Sequence, residues 1–262
     1  ITSSKSFYMG DPKIAFDNYG RFTLVSLLIK DWSNYFPIYG GIYQDNSPIN
    51  FPPRLNQTVL SSIPENLSNE TWIIFDYPKI SIDTYPNSSY FGNIYVFANA
   101  VIIKNGSIGQ GFFTVTPEGN ISERIRVKYG NAVVSTVIGP NGILYASYPN
   151  DYPWSNSIIK SFDGGLSFIE HNITRARLSP ETGCTARVSS GSDRSWFIHV
   201  GPEIAVDTKN KIYATWTVPR ECIFDPNFEY KQYGYDYDIY FSSSNDQGIT
   251  WSSPIRINDD ET

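Results

Sequence analysis

The sequence predicts an all-β chain, a β-propeller of four-stranded antiparallel blades, and three observations carry that expectation. Aromatic residues make up 16% of the 262, with 19 Tyr and 16 Phe, against 18% charged residues and a single Met, a bias that favours pleated strands over helices. A unit in which an x-P-x-I-x-x-D strand is followed by a turn and an aromatic-rich second strand appears four times. No window carries a clean helical period, and Gly, Pro and Asn recur too often for long helices.

The copies open at DPKIAFDNYGRFTLVSL from Asp11, YPKISIDTYPNSSYFGNIYVFANAV from Tyr77, NAVVSTVIGPNGILYASY from Asn131 and GPEIAVDTKNKIYATWT from Gly201; the third has lost the Pro and the Asp. Apolar residues alternate with polar ones or form short β-branched runs, and Asn-Gly, Lys-Asn and Tyr-Gly pairs punctuate them, as in antiparallel strands joined by tight turns. A spacing of roughly 55 to 70 residues fits four-stranded blades with some long loops. The expected blades are 11–60, 77–127, 131–174 and 201–258, within a single propeller domain or propeller fragment over 1–262.

The last two copies can be followed to their ends. NSIIKSF and LSFIEHNI read as the third and fourth strands of one blade, and YDIYFSS and ITWSSPIRI as those of the next. Between them lie SFDGGLSF at Ser161–Phe168 and SNDQGITW at Ser244–Trp251, with a weaker echo in TPEGNISERIRV from Thr116. In S-x-D-x-G-x-[ST]-[WF] each position has a local task. Asp163 and Asp246 accept backbone N–H bonds within the turn, Gly165 and Gly248 supply a positive φ, Ser161 and Ser244 tie the flanking strands, and Phe168 and Trp251 pack between sheets. Such Asp residues fold the chain; they are not catalytic candidates. The two octapeptides, with the P-x-I-A-x-D openings, resemble the BNR or Asp-box repeats of sialidase-like propellers. The resemblance covers residues 11 to 258 at the level of blades and supports fold better than chemistry.

Sialidases of that family hold the sugar carboxylate with an Arg triad, use a Tyr nucleophile assisted by Glu, and employ an Asp as acid and base. Their F-R-I-P motif is absent here; the nearest strings are PPRL around Arg54 and VPRE around Arg220. If the chain is an enzyme, Arg187, Arg220 and Glu221 are the first candidates. A Ser/His/Asp triad would need one of two histidines, His171 and His199, and His171 adjoins a glycosylation sequon. Phosphate-binding Gly motifs and Cys-x-x-Cys pairs are missing, so no cofactor is expected. Asp236 with Asp238, or Asp259 with Asp260, read as solvated turn carboxylates, the alternative being calcium ligands; no metal site is expected.

The resemblance also assigns faces. Asp boxes lie on turns between the third and fourth strands, and loops joining the second strand to the third, and the fourth to the first of the next blade, rise on the opposite, ligand face. Residues 50 to 76, 175 to 200 and 219 to 238 are the longest insertions. The last is rich in aromatics, and Tyr230, Tyr233, Tyr235 and Tyr237 with Arg220 are the expected ligand contacts for a sugar or a protein partner. The alternative is that these aromatics only pin a long loop to the blade flank.

Seven N-x-[ST] sequons, at Asn56, Asn66, Asn69, Asn87, Asn105, Asn120 and Asn172, point to a glycosylated secreted or cell-surface chain, the alternative being chance in an Asn- and Ser-rich sequence. Cys184 and Cys222 are the only cysteines, and one disulfide is expected, worth about 4 kcal/mol of unfolded-chain entropy; two buried free thiols are the alternative. A net charge of −6 with scattered Lys and Arg excludes a nucleic-acid partner, and no apolar run approaches a membrane span. The expected partners are glycans or surface proteins; because four blades are fewer than the six typical of sialidases, either the chain is a piece of a larger propeller or its ring is closed by self-assembly with another chain. A divergent exo-sialidase-like glycoside hydrolase is the second reading.

Overall fold

The computed structural model of the protein describes residues 8–20, 22–29, 38–44, 56–59, 72–102, 108–118, 120–122, 125–129, 133–149, 155–174, 187–189, 195–197, 201–225 and 231–260. Four antiparallel four-stranded sheets follow one another along the chain, each with its strands in sequence order. The first comprises β1 (Tyr8–Phe16), β2 (Phe22–Ile29), β3 (Ile38–Gln44) and β4 (Asn56–Val59), and the second β5 (Trp72–Ile82), β6 (Ile94–Ile102), β7 (Ile108–Val115) and β8 (Ile125–Tyr129). The third holds β9 (Ser135–Ile138), β10 (Leu144–Pro149), β11 (Asn156–Ser161) and β12 (Ile169–Thr174). A two-stranded sheet of β13 (Arg187–Ser189) and β14 (Ser195–Phe197) precedes the last, formed by β15 (Glu203–Val206), β16 (Ile212–Asp225), β17 (Lys231–Ser244) and β18 (Ile255–Arg256). The described residues contain no helix, hence none long and apolar enough to cross a membrane.

The repeated x-P-x-I-x-x-D string builds the first strand and its turn. Pro offers no N–H to the ladder, so the pairing of β1 with β2 shifts between Gly10 and Lys13, around Pro12, and that of β5 with β6 between Asp76 and Lys79, around Pro78. The Asp then closes the turn on itself: an Asp17 oxygen accepts the amide of Tyr19 at 2.9 Å, Asp83 that of Tyr85 at 3.0 Å and Asp207 that of Lys209 at 2.8 Å. The third copy lacks the Asp and turns through Gly139–Pro140–Asn141–Gly142 instead, with Gly142 at φ +72°.

The chain divides into two compact units. The first comprises Ile1–Val133, Asn141–Ile143 and Ser161–Phe168. Its core joins Val25 of β2 to Ile94, Val96, Ala98, Phe113 and Val115, flanked by Ile80 and Ile82. Gln110, at 2% exposure on the opposite face of the same sheet, with Phe97 and Phe112, accepts the amide of Val133 at 2.8 Å, which satisfies a polar group that burial would otherwise penalise. The second unit comprises Val134–Pro140, Leu144–Lys160 and Ile169–Thr262. There Leu144, Tyr145, Ile158, Ile212 and Trp216 are buried, and Trp216 stacks on its cross-strand partner Tyr240 at 6.4 Å between centroids.

Candidate functional site

Two places in the chain concentrate the expected site residues: the SFDGGLSF and SNDQGITW turns, and the paired strands β16 and β17. In the first turn Ser161 Oγ donates to Asp163 Oδ1 at 2.8 Å and accepts the amide of Gly165 at 2.8 Å. Asp163 then receives the amide and the hydroxyl of Ser167 at 2.9 and 2.6 Å. The second turn repeats the set: Ser244 to Asp246 and Gly248 to Ser244, both 2.8 Å, and the Thr250 amide and hydroxyl to Asp246 at 2.8 and 2.5 Å.

These bonds set the charge of the two carboxyls. Burial opposes ionisation of Asp163, yet the hydrogen bonds from Ser167, Ser161 and the Leu166 amide outweigh it and hold its pKa down at about 2. For Asp246 the Thr250 hydroxyl and amide are the main causes, and the pKa again lies at about 2. Both side chains act as fixed acceptors inside a turn, with no proton to give at neutral pH.

Each turn also grips the strand it packs on. Thr114 Oγ1 donates to the Gly164 carbonyl at 3.3 Å, and Phe168 meets Phe112 edge-on at 5.1 Å. In the other unit Lys160 Nζ donates to the Gln247 carbonyl at 3.0 Å, while Trp251 turns inward and bonds the Gly248 carbonyl at 3.2 Å. Gly164 and Gln247 hold the same place, three residues after the leading Ser, and both have positive φ, +70° and +60°. Burial pushes the Lys160 ammonium down, and the Asp246 charge partly restores it. Burial and the neighbouring Lys160 charge likewise depress the His171 pKa, against the opposing Asp246 charge.

The expected 219–238 loop is a strand pair instead. β16 and β17 are each 14 residues long and stay in register from Ile212 with Ser244 to Asp225 with Lys231. Pro219 faces Tyr237, Glu221 faces Tyr235 and Ile223 faces Tyr233. Tyr233, Tyr235 and Tyr237 therefore occupy alternate positions on one face of the ribbon, and the consecutive Arg220 and Glu221 occupy opposite faces. At about 3.3 Å per residue, Tyr235 stands about 30 Å along β17 from the turn at Ser244. Arg187 opens β13, paired with Phe197, and β13 lies beside β17.

The remaining expected residues are placed as follows. Tyr230 and Cys184 lie outside the described residues, as do Asn66, Asn69 and Asn105; Cys222 is on β16 opposite Gly234, and Asn56 starts β4. Asn87, Asn120 and Asn172 are exposed, and Asn172 Oδ1 accepts the Ser157 hydroxyl at 3.1 Å. Asp238, expected in a solvated turn, is instead a strand residue at 9% exposure, and its carboxylate binds Arg256 Nε at 2.7 Å. Among the described residues no group of three or more His, Cys, Asp or Glu is arranged to hold a metal ion.

No protein-family model matches the chain, and no curated protein sequence matches it. Solved structures do. An intramolecular trans-sialidase from Ruminococcus gnavus, in complex with oseltamivir carboxylate, matches with a TM-score of 0.58 at 10% identity, over 97% of this chain and 72% of its own. An alpha-L-arabinanase of Penicillium chrysogenum complexed with arabinobiose matches at 0.56 and 10%, over 95% of this chain and 66% of its own. A mutant of the NanB sialidase of Streptococcus pneumoniae matches at 0.53 and 10%, over 98% of this chain and 52% of its own. The likeness is one of fold. It places these antiparallel sheets with β-propeller enzymes, and the chain spans between about half and three quarters of their length.

Proposed function

We propose that the chain is a non-catalytic, extracellular Asp-box propeller module that binds glycans through the β16–β17 ribbon. In this reading the four sheets are blades, bounded near 11–60, 77–127, 131–174 and 201–258, and the module is a glycosylated surface protein stapled by a Cys184–Cys222 disulfide. The observation that carries it is the alternation of Tyr233, Tyr235 and Tyr237 along β17, about 30 Å from the Asp163-type turn of the same sheet. Aromatic residues supply stacking surface for sugar rings. Six of the described carboxylates have structural tasks that fit this reading: Asp17, Asp83, Asp163, Asp207 and Asp246 hold turns, and Asp238 is ion-paired. The fold likeness to a trans-sialidase in complex with oseltamivir carboxylate and an arabinanase complexed with arabinobiose fits a glycan ligand.

The second reading, a divergent exo-sialidase-like hydrolase, is favoured by the placement of β13, with Arg187, beside the strand that pairs with Arg220 and Glu221. Two measurements separate them. A glycan array, followed by titration calorimetry on the best ligand, is expected to show binding that weakens about tenfold or more in Tyr235→Ala, a loss of roughly 1.4 kcal/mol. A fluorogenic sialoside is expected to show no turnover. Turnover abolished by Arg220→Ala overturns the binding-module reading, and a blank array together with no turnover overturns both.

A further inference from the structure

Each of the two octapeptide turns rests on a seat in the sheet before it, and the two seats are built alike. Within the first unit, Thr114 donates to the Gly164 carbonyl, Phe112 lies under Gly165, and Phe168 packs on the rings of Phe112 and Phe97. Tyr95 and Phe97 are the cross-strand partners of Thr114 and Phe112, and the Tyr95 ring stacks diagonally on that of Phe112 at 6.2 Å. All four residues are buried, Thr114 being the most exposed at 7%. Within the second unit, Lys160 donates to the Gln247 carbonyl, Ile158 lies under Gly248, and both are buried. Thr114 and Lys160 are each next to last on their strand.

The fourth sheet repeats the seat of the second almost residue for residue. Ser243 is next to last on β17, Phe241 stands two positions before it, and their cross-strand partners are Tyr213 and Thr215. The Tyr213 ring stacks diagonally on that of Phe241 at 6.1 Å, as Tyr95 does on Phe112. Tyr answers to Tyr, Phe to Phe and one hydroxyl to another; only Thr215 departs, standing where the second sheet has Phe97. Burial is what differs. These four residues are only half-buried, and on the same face Ile239 is 38% exposed, Ile255, paired with Phe241, 56%, and Ile257, whose amide bonds Ile239, 50%. The other face of the sheet, with Ile212, Ala214 and Trp216, is buried, so the exposure belongs to the seat and not to the sheet as a whole. A contiguous exposed apolar strip of this kind marks an interface.

We propose that this face of the fourth sheet docks a third S-x-D-x-G-x-[ST]-[WF] turn, presented by a partner sheet. Ser243 Oγ then donates to the carbonyl of the turn's fourth residue, Phe241 lies under its glycine, and its closing aromatic covers the Tyr213–Phe241 stack. Thr215, smaller than Phe97, leaves room for Trp in the closing position. The contact continues an interface already present, because the fourth sheet's own turn rests in the same manner on the third. Both complete octapeptides of the chain are engaged on their seats, so a folded second copy has none to offer and the occupant brings its own.

An NMR titration of the full chain tests this, with a head-to-tail cyclised peptide of residues 242–253 as the probe. Cyclisation holds a hairpin that is marginal by itself. Saturable shifts are expected at Tyr213, Thr215, Phe241 and Ser243. Ser243→Ala is expected to weaken binding roughly twofold to tenfold, the worth of one hydrogen bond, and Phe241→Asp to abolish it. A probe carrying Trp251→Ala is expected to leave the wild-type spectrum unchanged. Should Phe241→Asp lose its fold, Ile255→Asp, at an exposed position of the same face, takes its place. A titration without saturable shifts overturns the proposal. Shifts at Ile158 and Lys160 in place of the four expected residues, which would mean exchange with the chain's own turn, overturn it too, as does binding indifferent to both Ser243→Ala and the aspartate variant.

Discussion

Lys160 Nζ sits 3.0 Å from the carbonyl oxygen of Gln247 and donates to it, as Thr114 Oγ1 does to that of Gly164 at 3.3 Å. A buried ammonium and a buried hydroxyl thus perform one task at one position of two turns. Neither residue stands out in the sequence, because a Lys and a Thr on strands have nothing in common until the carbonyl they share is seen.

The glycine that follows each carbonyl differs in tolerance. Gly165 and Gly248 both have positive φ, which costs a residue with a Cβ about 1–2 kcal/mol. A methyl group on Gly165 would overlap the Phe112 ring, whereas one on Gly248 meets Ile158 at 3.3 Å, where a slight shift suffices. Gly165→Ala should therefore lower stability by roughly 2–5 kcal/mol and Gly248→Ala by about 1–2 kcal/mol, with overpacking making the difference. Urea midpoints of the two variants check the order, and equal losses would contradict the packing argument.

Gln247 adopts φ +60° without being Gly or Asn. Its counterpart Gly164 shows what the position prefers. Gln247→Gly removes about 1–2 kcal/mol of strain and adds about 0.4–1 kcal/mol of unfolded-chain entropy, so a net gain of about 0.5–1 kcal/mol is expected. Gly164→Gln should do the opposite and more, since a Cβ there comes within 2.6 Å of the Tyr90 ring. Thermal midpoints moving in opposite directions would establish the asymmetry.

Much of the sheet-forming pattern was legible in the sequence, and the reason is local. The Pro at the bulge in DPKIAFD and YPKISID and the Asp at the turn in these strings and in GPEIAVD act within a few residues of themselves, so their consequences can be read from a string. What was not legible acts at a distance. The segment 219–238 looks like a loop because its Pro, Gly and Asp residues outweigh the strand preference of its Tyr residues, yet pairing of β16 with β17 out to Asp225 and Lys231 overrides that local preference. Asp238 likewise reads as a turn acid, and only Arg256, eighteen residues on, shows why it tolerates burial.

Acid should loosen the two turns in a defined window. The folded pKa of Asp163 and of Asp246, about 2, lies below the ordinary carboxylate value near 4. The unfolded chain therefore binds protons first, and the stabilisation is complete above about pH 4 and lost as pH falls through about 2. Asp163→Asn and Asp246→Asn lose the charge-assisted bonds outright, on the order of 1–2 kcal/mol each at pH 7. Their urea midpoints are expected to change less than wild type between pH 4 and pH 2, and a slope equal to that of wild type would locate the acid sensitivity elsewhere.

Within one turn the two serines should behave unequally. Ser161 is 1% exposed and its oxygen satisfies the buried amide of Gly165, whereas Ser167 reaches Asp163 from an exposed position. Ser161→Ala strands that amide without water and should cost about 1–3 kcal/mol, while Ser167→Ala lets water take over the Asp163 oxygen and should cost under about 1 kcal/mol. The second turn provides an internal repeat, with Ser244→Ala expected to match Ser161→Ala and Thr250→Ala to match Ser167→Ala, because the same four hydrogen bonds recur there to within 0.1 Å. Denaturant midpoints for the four alanine variants decide the matter: if the exposed pair costs as much as the buried pair, desolvation of the glycine amide is not what makes the leading Ser indispensable.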